Sequence, residues 1–206
     1  MSIRINADVV DLTQDSPKGA DVFFVDSNVW FWVGYSKASL VSKYNQSNDY
    51  PDYINRSLLA GSRLYKCTLS FAELAHSVER NERDIFNSNR TPPVGTKEFR
   101  HNFPVERQRV VSEIEDTWQL AEAMTAGLTI EAHLTSAMIS SSIRRIKQEG
   151  LDGYDVFMLE ALKTSGITQI ITDDSDFAQV AGIIVFTANK PLIRQAKKQR
   201  KLLIRP

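Results

Sequence analysis

Short apolar runs alternate with longer helical patterns along this chain, and this alternation restricts the fold more than any other feature of the sequence. Residues 22–25 read Val-Phe-Phe-Val, and comparable runs occupy residues 66–69, 169–171 and 183–186. Runs of this length between polar or turn-forming residues are typical of buried strands. Because buried strands that alternate with helices form parallel sheets, the pattern predicts an α/β fold with a mostly parallel central sheet.

Helical patterns fill most of the remaining chain. They predict helices over residues 53–63, 71–80, 105–126, 136–148 and 154–165, with a brief strand at 128–130. Residues 81–104 hold three prolines, Gly95 and four asparagines, a composition that predicts a long loop. Loops of that length are often functional.

The composition indicates one domain with two additions. A chain of 206 residues that is 42% hydrophobic can bury a sizeable core, which excludes disorder over most of its length. We expect the domain to span residues 21–189. Residues 1–20 form an N-terminal extension, in which residues 3–10 are expected to pair as an edge strand, and residues 190–206 form a basic C-terminal tail.

The charge is balanced overall but unevenly distributed. The formal net charge is zero, which excludes a globally basic nucleic-acid-binding surface but allows a local one. Seven of the 25 basic residues lie in residues 190–206, which contain no acid, so residues 1–189 carry 18 basic groups against 25 acidic ones. The body of the protein is therefore acidic and its tail basic.

Several classes of protein and of site are excluded by what the sequence lacks. The single cysteine, Cys67, cannot form an internal disulfide, so we expect a reducing compartment and a cytoplasmic location. The first fifteen residues resemble neither a signal peptide nor an anchor, and no apolar run is long enough to span a membrane. Glycine-rich nucleotide-binding motifs are absent, and the three histidines show no metal-ligand spacing.

Carboxylates occupy the positions where a parallel sheet binds ligands. Asp26 ends the first strand, and Asp173, Asp174 and Asp176 follow the strand at 169–171. In open parallel sheets, ligands bind outside the carboxyl ends of the strands. Two strands therefore deliver acids to one edge of the sheet.

Two more acids begin helices at or near that edge. Glu73 lies in the first turn after the second strand, and Asp155 lies in the first turn of the helix at 154–165. Each acid also has an ordinary structural explanation, such as a capping box from Ser70 to Glu73 or an N-cap at Asp152. Four converging carboxylates would repel one another strongly and need a cation, and Mg²⁺ or Mn²⁺ prefers such oxygen ligands.

The order of these motifs resembles the PIN-domain nuclease family, which includes the VapC-type toxin ribonucleases. The resemblance covers about residues 21–189. It rests on four segments, which are Asp26-Ser27-Asn28, Leu69-Ser70-Phe71-Ala72-Glu73-Leu74, the run Asp-Val-Phe-Met-Leu-Glu-Ala-Leu from Asp155, and Ile171-Thr172-Asp173-Asp174-Ser175-Asp176-Phe177. It implies a PIN-like three-layer α/β/α sandwich with about five strands and an acidic pocket that binds one or two divalent ions.

The resemblance also assigns roles to individual residues. Asp26, Glu73 and Asp155 match the three main acids of the family, Asp174 matches the fourth, and Asp176 matches a more variable fifth metal ligand. Asp152 remains an alternative to Asp155 as the third acid. The implied partners are RNA, an antitoxin protein and a second copy of the chain.

The resemblance predicts that the protein is a divalent-metal-dependent ribonuclease, and one role that it suggests is that of the toxin in a toxin–antitoxin pair. Asn28 and Thr172 are expected to orient the metal ligands.

Because an acidic pocket repels phosphate, cations elsewhere must bind RNA. The candidates are five residues of the tail, Arg194, Lys197, Lys198, Arg200 and Lys201. Arg90, Lys97, Arg100 and His101 of the predicted loop are further candidates, with Phe99 and Phe103 as stacking surfaces. The alternative function is a non-catalytic RNA- or protein-binding module on the same fold.

Overall fold

A parallel sheet of six strands forms the centre of the protein in a computed structural model that describes residues 3–206. The strands are β1 (Asp8–Asp11), β2 (Val22–Val25), β3 (Arg63–Cys67), β4 (Thr129–Ile130), β5 (Gln169–Ile171) and β6 (Ile184–Thr187). Their spatial order is β1-β6-β5-β2-β3-β4, and every neighbouring pair is parallel. The expected parallel sheet is confirmed, with one strand more than the family resemblance implies.

Nine α-helices surround the sheet within the described part of the chain. They are α1 (Ser27–Gly34), α2 (Ala38–Val41), α3 (Gln46–Ala60), α4 (Ser70–Asn87), α5 (Thr96–Asn102), α6 (Pro104–Met124), α7 (Ser136–Ile146), α8 (Gly153–Ser165) and α9 (Lys190–Lys198). A 3₁₀ helix spans Asp176–Gln179. In the described residues, no helix combines the length and the apolar character that crossing a membrane requires.

Alternating side chains of the strands divide the core into two apolar layers. Phe23 and Val25 of β2 pack with residues of α1, α3, α4 and α6, whereas Phe24 points to the other face and packs with residues of α8 and α9. This division follows from the period of two along a strand. It produces a three-layer α/β/α sandwich, which confirms the predicted fold class and is consistent with a PIN-like architecture.

The structure corrects the helix predicted over residues 53–63. The helix α3 begins earlier, at Gln46, and ends at Ala60, and Arg63 already belongs to strand β3. Gly61 ends the helix because it adopts a positive φ of 84°. Pattern reasoning missed the first turns of α3 because residues 46–52 contain one large hydrophobic side chain, Tyr50, set among polar residues.

The prediction of a long loop over residues 81–104 is wrong. Helix α4 continues to Asn87, and α5 lies inside the predicted loop, which leaves residues 88–95 as the connection. The connection is closed by Asn87, whose side chain donates to the Val94 carbonyl at 3.0 Å and accepts from the Val94 amide at 2.9 Å. Phe99 is 1% exposed and packs with Phe86 and Phe103, so it offers no surface for stacking on a base.

Both terminal segments take part in the sheet and its packing. Strand β1 pairs with β6 at the edge of the sheet, as expected for the N-terminal extension. Helix α9 buries Leu192 and Ala196 against the same layer as α8. The domain limits at residues 21 and 189 stay a prediction.

Candidate functional site

The candidate site begins at Asp26, at the carboxyl end of strand β2. The neighbouring strand β5 ends at Ile171, whose carbonyl accepts a 3.0 Å hydrogen bond from the Asp26 amide. Asp26 is the N-cap of helix α1, and its carboxylate accepts from the Ser27 amide at 2.6 Å. The side chain is 2% exposed, so the strand end holds a carboxylate that is almost completely removed from water.

Both predicted orienting residues contact Asp26 directly. The Thr172 hydroxyl donates to Asp26 Oδ2 at 2.6 Å, and Asn28 Nδ2 donates to the same oxygen at 2.6 Å. Asn28 also accepts from the Asp173 amide through Oδ1 at 3.0 Å. These bonds tie the ends of β2 and β5 together and fix the direction of the Asp26 carboxylate.

Glu73 is joined to the Asp26 segment through Ser27. The Ser27 hydroxyl donates to Glu73 Oε2 at 2.7 Å. A capping box from Ser70 to Glu73, the structural alternative for this acid, is not formed, because the N-cap of α4 is Leu69 and no side chain caps the helix. The Glu73 carboxylate therefore contacts the site and does not serve as a helix cap.

Glu73, Asp152 and Asp155 form an acidic triad. Each offers one carboxylate oxygen, and these three oxygens lie within 4.8 Å of one another. Asp152 is the N-cap of α8, and its Oδ1 accepts from the amides of Tyr154 at 2.9 Å and Asp155 at 3.0 Å. Both alternatives for the third acid therefore reach the same place.

The acids that follow strand β5 have different surroundings. Asp174 lines the same cavity as Asp26 and the acidic triad. Its Oδ1 accepts from the Asp176 amide at 2.8 Å, while Asp176 itself is not among the residues that line this cavity. Asp173 instead accepts from the Tyr50 hydroxyl at 2.8 Å and from Gln46 at 3.3 Å.

Burial and mutual repulsion make three of the carboxyl groups, those of Asp26, Glu73 and Asp155, hard to ionise. Burial, together with the charge of Asp174, raises the pKa of Asp26 to about 6, against the lowering effect of the Thr172 hydrogen bond. Burial and the charge of Asp26 raise the pKa of Glu73 to about 7. For Asp155, burial and then the charges of Asp26 and Asp152 raise the pKa to about 9. A pocket that resists ionisation in this way would be stabilised by a cation.

The donor set fits a hard divalent cation. The triad offers only carboxylate oxygens, and neither a histidine nor a cysteine belongs to it. Mg²⁺ and Mn²⁺ favour oxygen ligands of this kind, whereas zinc sites are mostly built from His and Cys. The triad can therefore hold a divalent metal ion.

Three arginines, which the sequence patterns did not fully reveal, line the same cavity as the acids. The cavity measures about 1010 Å³, and Arg80, Arg100 and Arg107 contribute to its lining. Arg100 and Arg107 pair with the buried Glu79 at 2.7 and 3.0 Å. Of the three, sequence reasoning singled out only Arg100. For Arg80, the available signal was its position seven residues after Glu73, which places both residues on one face of the same helix.

One of the predicted RNA-binding cations of the tail, Lys201, lies at the opposite edge of the sheet from the acids. Lys201 pairs with Asp8, the first residue of β1, at 3.7 Å, and Gln199 contacts the backbone of Ile5 just before that strand. This is the amino edge of the sheet, whereas the acids lie at the carboxyl edge. The two edges of the sheet are separated by the length of a strand, which for the four residues of β1 is on the order of 13 Å. A role of Arg194, Lys197, Lys198, Arg200 and Lys201 in RNA binding stays a prediction.

Comparison with solved structures gives matching chains, and the similarity to the one described below is weak. No protein-family model and no curated protein matches the chain. Among solved structures, the chain is similar to one in the crystal structure of VapBC2 from Rickettsia felis bound to a DNA fragment from their promoter. The similarity covers 81% of this chain and 98% of that chain, with a TM-score of 0.46 and 12% sequence identity. At these values, neither the activity nor the partners of that complex transfer to this chain.

Proposed function

We propose that this protein is a divalent-metal-dependent endoribonuclease that hydrolyses phosphodiester bonds in RNA. The observation that carries the proposal is the convergence of Asp26, Glu73, Asp152, Asp155 and Asp174 in one cavity at the carboxyl edge of the sheet. The motif resemblance to PIN-domain nucleases supports RNA as the substrate.

The acids of the cavity would hold Mg²⁺ or Mn²⁺. When bound, such an ion activates water, offsets the charge of the transition state and stabilises the leaving oxygen. Thr172 and Asn28 hold the Asp26 carboxylate in one orientation, and Ser27 does the same for Glu73. Because Asp155 and Glu73 have raised pKa values, both must lose their protons before they can act as ligands.

A non-catalytic binding module is the weaker alternative. Binding RNA or a protein partner does not require several mutually repelling carboxylates in one cavity, two of them buried, and such groups lower the stability of a fold. Their presence together in a large open cavity therefore favours catalysis over simple binding.

The motif resemblance to VapC-type toxins extends the proposal to biological role. We propose an antitoxin protein as a partner, and a homodimer as the form that binds it. Co-purification of the chain with the product of an adjacent gene, followed by loss of RNA cleavage in that complex, would support this role. Full cleavage activity of the chain in the presence of every adjacent gene product would contradict it.

A cleavage assay tests the enzymatic proposal. The full chain is incubated with single-stranded and structured RNA in Mg²⁺, in Mn²⁺ and in EDTA. We expect cleavage with either ion and none in EDTA. Failure to cleave any RNA in either ion, by a protein shown to be folded, would contradict the proposal.

A further inference from the structure

A second cavity adjoins the acidic one and shares part of its wall. It measures about 440 Å³ and lies on the side of Phe31, Trp32 and Val41. Asn28, Ser77, Arg80 and Asp174 line both cavities. A molecule bound at the acids can therefore extend directly into the second cavity.

The second cavity combines an aromatic surface with polar groups. Trp32 is partly buried, and its ring meets that of Phe31 edge to face, with the ring centres 5.1 Å apart. The side chains of Asn81 and Asn189 also line the cavity. Asn81 is held in place by a 2.8 Å hydrogen bond to the Ser77 carbonyl. An apolar ring surface together with a few fixed polar groups is typical of sites for small planar ligands, and the volume lies in their range.

Arg80 stands at the junction between the two cavities. It is exposed, and within residues 3–206 its guanidinium forms neither an ion pair nor a hydrogen bond. Arg100 and Arg107, by contrast, are occupied by Glu79. Arg80 is thus an unpaired cation that both cavities share.

The position of Arg80 on α4 relates it to the acids. Glu73, Ser77 and Arg80 follow the spacing i, i+4, i+7 and so lie on one face of the helix. Seven residues of helix correspond to a rise of about 10 Å. A phosphate at Arg80 would therefore lie close enough to a phosphate at the acids for both to belong to one RNA strand.

We propose that the second cavity is a nucleobase subsite, in which Trp32 stacks on the base of a nucleotide next to the cleaved bond. In the same proposal, Arg80 binds a phosphate of that strand between the two cavities. The inference rests on the proposed ribonuclease function and extends it to the recognition of single-stranded RNA, since a paired base is not free to enter a cavity. Aromatic stacking and an arginine–phosphate contact are the usual elements of such recognition.

Binding measurements on four variants of the full chain test this inference. The affinity for a short fluorescent single-stranded RNA of mixed sequence is measured by anisotropy at several salt concentrations, with Ca²⁺ in place of Mg²⁺. The variants are Arg80→Gln, Trp32→Leu, Trp32→Phe and, as a matched control, Arg63→Gln. Arg63 is an exposed arginine at the start of β3, on the amino edge of the sheet.

The two residues should affect binding in different ways. Arg80→Gln should weaken binding and reduce the slope of log affinity against log salt by about 0.7. Trp32→Leu should weaken binding by about tenfold and leave the slope unchanged, while Trp32→Phe retains most of the affinity. In the cleavage assay both losses should appear as a higher KM. Arg63→Gln should behave as the wild type does.

The outcomes separate this inference from the proposed function. If the wild type cleaves RNA but Arg80→Gln and Trp32→Leu match its affinity, slope and KM, the subsite is overturned and the ribonuclease stands. If the wild type binds RNA in the predicted Arg80- and Trp32-dependent way but never cleaves it, the subsite is supported and the ribonuclease falls. If the wild type neither binds nor cleaves RNA, both fall. If Trp32→Leu impairs folding, Arg80→Gln, which alters an exposed side chain, still tests the phosphate contact, and loss of most of the affinity in folded Trp32→Phe would contradict the stacking.

Discussion

The Thr172 hydroxyl donates a 2.6 Å hydrogen bond to Asp26 Oδ2. The two residues follow directly after Val25 and Ile171, which are partners in the pairing of β2 with β5. The same register that builds the centre of the sheet therefore sets the orientation of the buried carboxylate.

Replacing Thr172 with valine should alter the ionisation of Asp26. The hydrogen bond from Thr172 lowers the pKa of Asp26, so its loss should raise that pKa further. Cleavage should then require a higher pH, and divalent-ion affinity should fall by about 10- to 100-fold. The pH profile of cleavage measures this, with Thr172→Ser as the control that restores the hydroxyl. An unchanged profile in Thr172→Val would contradict the role assigned to the hydrogen bond.

Divalent ions should stabilise the folded protein. An ion that binds the folded cavity and not the unfolded chain, at about a hundred times its Kd, adds about 2.7 kcal/mol to the free energy of unfolding. The Tm at neutral pH should therefore rise with Mg²⁺ or Mn²⁺, and the rise should shrink in Asp155→Asn.

Asp152→Asn provides the comparison between the two alternatives for the third acid. Asparagine is as good an N-cap as aspartate, so this variant should keep helix α8 while losing one oxygen ligand. We expect its ion-induced shift to shrink as well. A full shift in Asp152→Asn would leave Asp155 as the third acid, and a full shift in Asp155→Asn would leave Asp152.

The metal-free protein should become less stable as the pH rises. The pKa of Asp155 is raised to about 9 in the folded state, from about 3.9 in an unfolded chain. The folded protein therefore binds more protons than the unfolded chain between these two values, and stability falls as the pH rises through that interval. Urea unfolding in EDTA at several pH values measures the effect.

Asp155→Asn is the matched variant for that measurement. Asparagine carries no charge at any pH, so this variant should be more stable than the wild type at neutral pH and depend less on pH. A wild-type stability that stays constant or increases from mildly acidic to mildly alkaline pH in EDTA would disprove the predicted linkage.

The sequence predicted the parts of this site that depend on strand ends. The apolar runs located β2 and β5, and the rule that parallel strands present their carboxyl ends to one edge brought Asp26 and Asp174 together. The sequence could not decide whether Asp152 or Asp155 is the third acid of the site, because the two residues lie three positions apart at the start of a helix. Only the path of α8 shows that both reach Glu73.

Contacts between distant segments were beyond the reach of sequence patterns. The bond from Ser27 to Glu73 and the pairing of Arg100 with Glu79 depend on how α1, α4 and α5 pack. The sequence characterises the tail only by its positive charge. The structure adds that its last arginine, Arg205, is an internal ion-pair residue.

Arg205 should be important for stability. Its guanidinium pairs with Asp15 at 2.5 Å and Asp21 at 2.7 Å, and all three side chains are at most 10% exposed. Arg205→Ala leaves two buried carboxylates without their cation and should cost about 3–5 kcal/mol in the free energy of unfolding. Urea unfolding measures the loss, with Lys198→Ala at an exposed position of the tail as the control. Equal stability of the two variants would contradict this role.

Cleavage of a labelled RNA by Asp26→Asn tests the central claim most directly. The change keeps the shape of the side chain and removes one charge from the cavity, and Asp8→Asn at the exposed amino edge of β1 makes the same change elsewhere. In Mg²⁺, cleavage by Asp26→Asn should fall by more than about 100-fold, with the fold intact by circular dichroism. Asp8→Asn should cleave as the wild type does, and EDTA should abolish cleavage by both the wild type and Asp8→Asn. Undiminished Mg²⁺-dependent cleavage by Asp26→Asn would contradict the account.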